Sequence, residues 1–205
     1  MRLQNKVIIV TGSTTGIGKA IAVRWLKEGA RVIVHGLEKH WGEAVVAEAG
    51  DDKAILHIED LIAEAAVQRL VETAIRHFGK LDAVVNNAAW VVSSNIHTTD
   101  ETLLRKVMET NAIAPFALIK AALPYLEAAK GCVLNIGSVN AYSGEPNLFA
   151  YSVSKGALMT MTRNLGDTLF RENGVRVNQI NPGWVLTEKE IQRKKEHGLS
   201  EDWYK

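Results

Sequence analysis

The sequence predicts a doubly wound α/β protein, a parallel sheet with helices on both faces, folded as a single domain. Three observations predict it. Short β-rich runs, most of them almost continuously apolar, recur along the chain at 7–10, 32–34, 54–58, 83–85, 133–136 and 175–180. Longer segments with helical periodicity separate them. A glycine-rich turn joins the first run to the first helix. A parallel strand covered on both faces needs apolar side chains on both, which a continuous run supplies. Strand–helix alternation then gives crossover units rather than hairpins.

The elements follow in order. After the first turn, Ile17, Ile21 and Trp25 step by four, as do Ala22 and Leu26, and Gly29 stands where a helix C-cap belongs. A second helix is expected over 61–78, ended by Gly79. Thr98 and Glu101 have capping-box spacing and should open a long helix through Leu118, kinked or interrupted at Pro115. Another helix is expected over 151–170, stopped near Gly174. No repeat, low-complexity tract or linker divides the 205 residues, so 1–205 is read as one unit.

Composition narrows the function. The chain is 47% hydrophobic and 23% charged, enough to bury a core, and its net charge of +1 offers no basic field for nucleic acid. A single cysteine, Cys132, excludes an intrachain disulfide and a cysteine-rich zinc site, and is expected as a small buried strand residue. His35 and His40 are too badly spaced to share a helical face as ligands, so no metal is expected. MRLQNK and the four apolar residues after it are too short for a signal peptide core, and no later segment is expected to span a bilayer. The cytoplasm is the default compartment. The mixed charges of 188–196 read as a solvated face.

TGSTTGIGKA, starting at Thr11, follows the first apolar run. Backbone N–H groups at a helix start, with the helix dipole, make an anion site. A mononucleotide P-loop is rejected: its first glycine would fall at Ser13 and its magnesium hydroxyl at Ala20. The G-x-G-x-x-G pattern fails too, because Gly12, Gly16 and Gly18 are spaced G-x-x-x-G-x-G. Later motifs complete the pattern. Asn86-Asn87-Ala88-Ala89 follows the fourth run and Ser138 the fifth. Tyr151-Ser152-Val153-Ser154-Lys155 is a Y-x-x-x-K, and Asn181-Pro182-Gly183-Trp184-Val185-Leu186-Thr187 follows the sixth run. Asn111 lies mid-helix. In this order the motifs resemble those of the classical short-chain dehydrogenase/reductase family, from the first strand to about Thr187.

The resemblance implies a Rossmann-like fold, an NAD or NADP cofactor and hydride transfer between a secondary alcohol and a ketone. It implies Tyr151 as general acid/base, Lys155 as its electrostatic partner and ribose ligand, Ser138 as donor to the substrate oxygen, and Asn111 as holder of a water linked to Lys155. Tyrosine has a pKa near ~10, and bringing it toward neutrality needs roughly 4 kcal/mol of differential stabilisation. Lys155, one turn from Tyr151, is on the right face to supply charge. The resemblance further implies that Gly12, Ser13, Gly16, Ile17 and Gly18 approach the pyrophosphate and ribose. Asp60 and Leu61 would meet adenine, with Asp60 alternatively the N-cap of the helix after it. Asn87 and Ala88 would line the adenosine side, and Pro182, Gly183, Val185 and Thr187 the carboxamide end.

Finer choices rest on less. The second strand ends His35-Gly36-Leu37-Glu38-Lys39, without the usual acid or arginine that selects the ribose. Glu38 is the substitute acid, so NAD is expected, and Lys39 or His35 meeting a 2′-phosphate is the NADP alternative. Trp90, Tyr142, Glu145 and Trp184 are expected to wall the pocket with Ser138 and Tyr151, for a sugar, polyol or other small hydroxy-compound. Residues 186–205 are expected as a substrate lid. The family continues with a further helix and a seventh strand, so the sequence is expected to lack its C-terminal part. The long helices of 102–118 and 151–170 correspond to the family's main dimer interface, giving a homodimer or homotetramer. The alternative from another class is a non-catalytic dinucleotide-binding or scaffold protein of the same fold.

Overall fold

A computed structural model describes residues 1–50, 52–196 and 198. Among them, six strands form one parallel sheet in the order β3-β2-β1-β4-β5-β6. In chain order the elements are β1 (Val7–Val10), α1 (Gly16–Lys27), β2 (Arg31–Gly36), α2 (Lys39–Ala49), β3 (Ala54–Ile58), α3 (Ala66–Phe78) and β4 (Ala83–Asn86). There follow α4 (Glu101–Met108), a π-turn (Glu109–Ile113), α5 (Ala114–Ala129), β5 (Cys132–Ile136), α6 (Asn140–Ser143), α7 (Phe149–Asn173), β6 (Arg176–Ile180) and α8 (Glu188–Glu196). The doubly wound α/β fold is as expected.

The apolar runs behave as two-faced strands. Val7 and Ile9 of β1 pack into one core with Leu70, Leu118 and Leu126, while Ile8 and Val10 enter the other with Ala22, Val34 and Val45. The chain winds out from β1 to β3, then crosses back to β4 on the other side of β1. The helices that follow β1 and β4 pack on opposite faces of the sheet, Ala22 of α1 in one core and Leu118 of α5 in the other, and a crevice opens at this switch point.

A polar ladder crosses the same end of the sheet. Asn86 Nδ2 donates to Asn135 Oδ1 at 2.8 Å, and Asn135 Nδ2 donates to Thr162 Oγ1 at 2.8 Å. Thr162 Oγ1 also lies 2.8 Å from Gln179 Oε1. Asn86, Asn135 and Gln179 are register partners on β4, β5 and β6. Buried amides in register reject a one-residue slip, which would turn them onto the opposite face.

Several boundaries differ from expectation. Residues 61–65 form turns, and α3 starts at Ala66, because Ala65 adopts φ 56° and no side chain caps an earlier start. Asp60 Oδ1 accepts the Ile62 N–H at 3.2 Å, a local turn rather than a helix cap. The N-cap of α4 is Asp100, which accepts the Leu103 N–H at 2.7 Å; Thr98 Oγ1 accepts from Asn95 N instead. Pro115 sits at the start of α5, directly after the π-turn, and the helical path runs on to Ala129. A widened turn accommodates the missing N–H without ending the helix. This 29-residue path is long and apolar enough to cross a membrane by length and composition, contrary to expectation. Here its Leu118, Ile119, Ala122 and Leu126 are buried in the core beside the sheet. Cys132 opens β5 and is half-buried.

Replacing Asn135, which is fully buried, by alanine strands Asn86 Nδ2, whereas the Thr162 hydroxyl keeps the Leu158 carbonyl and Gln179 Oε1. We expect a loss of about 1–3 kcal/mol for the one orphaned donor, read from urea unfolding. A loss below 1 kcal/mol would show that the ladder is dispensable.

Candidate active site

The loop after β1 is locked against the loop after β4. Thr11 Oγ1 accepts the N–H groups of Asn87 and Ala88, each at 3.0 Å, and Asn87 Nδ2 donates to the carbonyls of Thr11 and Gly12 at 2.9 and 3.0 Å. Gly12 and Gly16 adopt φ of 61° and 56°, which glycine enters without a Cβ penalty. A Cβ on Gly18 would lie 2.3 Å from the Gly12 carbonyl oxygen and 2.4 Å from Asn87 Nδ2. The close approach thus requires glycine.

Beside this junction runs a cleft of about 1110 Å³. Gly12, Gly16 and Ile17 line it with Glu38, Asp60, Leu61, Asn87 and Ala88 at one end. Ser138, Tyr151, Lys155, Pro182, Gly183 and Val185 line the other, with Trp90, Glu145 and Trp184, and Thr187 lies between the two, close to Gly16. A backbone-lined anion loop at one end and a tyrosine–lysine pair at the other fit an extended dinucleotide, its pyrophosphate at the start of α1.

The reactive end is held by α7. Its first turn is tied to the β4–α4 loop: the buried Ser94 hydroxyl accepts the Ala150 N–H at 3.1 Å, and Ser94 O accepts the Phe149 N–H at 2.9 Å. Tyr151 and Lys155 then project from one face, with Lys155 Nζ 5.6 Å from the Tyr151 ring centroid. Burial raises the Tyr151 phenol above its usual value, and a hydrogen bond with Ser138 only partly opposes that. Tyr151 is therefore a protonated acid here. Lys155 is 2% exposed, and burial lowers it to about 8. Its Nζ donates to the Ile136 carbonyl at 2.7 Å.

Four expected site residues do not reach the cleft lining. Ser13 is fully buried and donates to the Val10 carbonyl at 2.6 Å, because its side chain points under the loop. Gly18 is buried against Gly12 and Asn87. Asn111, 1% exposed, spends its amide on Trp90: Oδ1 accepts the Trp90 N–H at 2.7 Å and Nδ2 donates to the Trp90 carbonyl at 3.0 Å and to Ser154 Oγ. It thereby fixes the segment carrying the Trp90 ring. Tyr142 is 64% exposed, and its hydroxyl accepts from Asn181 Nδ2 at 3.1 Å at the end of the polar ladder.

At the adenosine end, Thr14 Oγ1 donates to Glu38 Oε2 at 2.7 Å. Lys39 is largely exposed beside Glu43 at 3.8 Å, and His35 is 3% exposed with both ring nitrogens engaged. Sequence reasoning missed Thr14, Ser94 and Glu190. Thr14 and Ser94 look like ordinary turn residues. Glu190 sat in the charged segment taken as a solvated face, yet it lines the cleft and accepts from Trp184 Nε1 at 3.3 Å. Of the expected lid, 186–196 and Gly198 are described, with α8 beginning just after Thr187; His197 and 199–205 lie outside the described residues.

The profile of a family described as short chain dehydrogenase matches residues 6–198. Glucose 1-dehydrogenase 2 of Bacillus subtilis is 38% identical over 200 residues, covering 95% of this chain and 77% of the relative. An NADP-dependent (R)-specific alcohol dehydrogenase of Lentilactobacillus kefiri is 33% identical over 190 residues, covering 91% and 75%. A crystal structure of a short-chain dehydrogenase/reductase of unknown function from Caenorhabditis elegans, with cofactor, superposes with a TM-score of 0.88 at 27% identity, covering 96% of this chain and 78% of that one. The chain spans 65% to 77% of the length of the curated relatives it matches.

The buried lysine makes stability depend on pH. Folded Lys155 releases its proton near 8, whereas the unfolded chain keeps it to about 10.5. Between those values the unfolded chain holds more protons, so stability rises with pH. The unfolding free energy of wild type, measured against Lys155→Met, should gain about 2 kcal/mol from pH 8 to 10. A flat difference would mean that the ammonium is not desolvated.

Proposed function

We propose a function from one premise: this chain belongs to the short-chain dehydrogenase family. The reading is an NAD(P)-dependent oxidoreductase that interconverts a secondary alcohol and a ketone. The observation that carries it is the Ser138–Tyr151–Lys155 constellation at the end of a cleft whose other end is a glycine loop.

When bound, the nicotinamide supplies or accepts the hydride. Tyr151 gives its proton to the carbonyl oxygen in reduction and takes it back in oxidation. The Ser138 hydroxyl, hydrogen-bonded to Tyr151, orients the same oxygen. Lys155 places positive charge beneath the phenol and offers donors to a ribose. Trp90, held by Asn111, and Trp184 line the cleft and offer ring faces to a substrate.

NAD is the preferred cofactor in this reading. Glu38 lines the adenosine end, and its carboxylate favours a ribose hydroxyl over a 2′-phosphate. The NADP dependence named for the Lentilactobacillus relative makes the reverse outcome a direct test. A sugar, polyol or small hydroxy-compound suits a substrate end with Trp90 and Trp184 for ring faces and Glu145, Asn140 and Asn147 for hydroxyls. Relatives named for glucose and L-fucose support that class. A homodimer or homotetramer is part of the reading, because Phe116 and Tyr125 of α5 and Val153 and Phe170 of α7 are exposed.

Thermal unfolding with NAD, NADH, NADP or NADPH should show a raised midpoint with the NAD pair and little with the NADP pair. No shift with any of the four would overturn the reading. Tyr151→Phe should keep the cofactor-induced shift and lose at least about 100-fold in turnover, the usual scale for a general acid. Retained turnover would assign the proton to another group, and absence of turnover in wild type across alcohols and ketones would favour the non-catalytic alternative.

A further inference from the structure

His35 lies at the C-terminal end of β2, directly after the apolar run 32–34, and the mechanism above gives it no task. Its ring sits between two backbone segments. Gly12 N–H points at Nδ1 at 3.4 Å, and Nε2 lies 2.9 Å from the Glu59 carbonyl oxygen. The first group can only donate and the second can only accept. Both bonds form in one state alone: a neutral ring with its hydrogen on Nε2. Burial, and then the stacked His57 ring 6.1 Å away, hold His35 well below the usual histidine value, at about 4, so the ring is neutral near pH 7.

The backbone of His35 joins the same segments. His35 O accepts the Ser13 N–H at 2.7 Å, and His35 N–H donates to Ser13 Oγ at 3.0 Å. Next along β2, Gly36 O accepts the Glu59 N–H at 3.3 Å. Gly12 belongs to the loop before α1, and Glu59 directly precedes Asp60 and Leu61. Both segments line the cleft, and the His35 ring bonds to each of them.

We propose that His35 is a positioning residue for the dinucleotide: as the Nε2–H tautomer it holds the glycine loop and the Glu59–Leu61 segment at the separation that an adenosine diphosphate spans. This rests on the proposed function. His35 touches no reacting atom, so it sets cofactor affinity and leaves the chemical step alone. It also orients Gly12, whose carbonyl faces Asn87, so the joint links the loops after β1, β2, β3 and β4.

Two measurements test it. Long-range ¹⁵N–¹H correlation on the wild-type protein at pH 7 should show His35 protonated on Nε2 alone; an Nδ1–H ring or an imidazolium overturns the proposal without reference to any cofactor. Titration of NADH and of ADP-ribose then compares wild type with His35→Leu and His35→Asn. The leucine variant should bind both ligands at least tenfold more weakly, with turnover at saturating cofactor within twofold of wild type. Asparagine, which restores an acceptor for Gly12, should recover most of the affinity. Unchanged affinity in the leucine variant, or a fall in saturated turnover with affinity intact, sinks the proposal. If the leucine variant does not fold, an asparagine variant weaker than wild type by more than tenfold does the same. Wild type that binds neither ligand removes the proposed function itself, and the role of His35 with it.

Discussion

The close approach of two backbones at the crevice sets the terms for the rest of the molecule. The loop after β1 lies so near the loop after β4 that Gly18 leaves no room for a methyl group beside the Gly12 carbonyl. Thr11 and Asn87 convert that contact into a four-bond lock, with donors and acceptors used on both sides. Polar groups in such a place are costly unless paired, and these are paired. The lock fixes the start of α1 relative to β4. The anion-binding end and the reactive end of the cleft can then keep one spacing.

A second set of contacts does for the reactive end what the lock does for the loop. The Asn86–Asn135–Gln179 register holds the ends of β4, β5 and β6 level. Ser138 and Pro182 leave β5 and β6 just beyond that level, and Val139 N–H donates to the Pro182 carbonyl at 3.1 Å. Ser94 ties the first turn of α7 to the β4 side. Tyr151 is therefore placed by three strands and a loop through hydrogen bonds. Its own packing would leave the phenol freer to tilt.

The sheet was legible because its signal is redundant: a strand buried on both faces is apolar at successive positions, as Ile8 and Ile9 show from opposite sides. Helix ends were less legible. Thr98 and Asp100 are both good cap residues, and only the path of the Asn95 turn decides between them. Pro115 looked like a break, but the π-turn before it absorbs the missing donor. At the site, motif spacing brought together Ser138, Tyr151 and Lys155, which do line the cleft, since the face of α7 follows from helical geometry. It could not show that Ser13 faces inward or that the Asn111 amide is spent on Trp90. Those outcomes depend on which way a loop rolls and on what packs opposite a helix. His35 was hidden for a related reason. At a strand end the sequence offers His35 only as a cofactor contact, and its two ring partners come from distant segments.

Two buried basic side chains show how the fold divides stability from function. His35 is neutral, fully hydrogen-bonded and inexpensive to keep near pH 7. Lys155 is different: an ammonium with 2% exposure and one carbonyl partner is held near 8, about 3 kcal/mol below its solvated value at neutral pH. Nothing in the packing requires a lysine there, since a thioether of similar length would fill the same space. The residue persists at a cost that the rest of the core must offset. Such a cost is expected of a charge kept ready for chemistry. The hydrogen bond to Ile136 is compatible with that readiness, because the ammonium has three donors and the Tyr151 ring lies beside it. On this argument the strain in the protein is electrostatic and local. It sits one helical turn from the phenol, where a positive charge has the most effect on a departing proton.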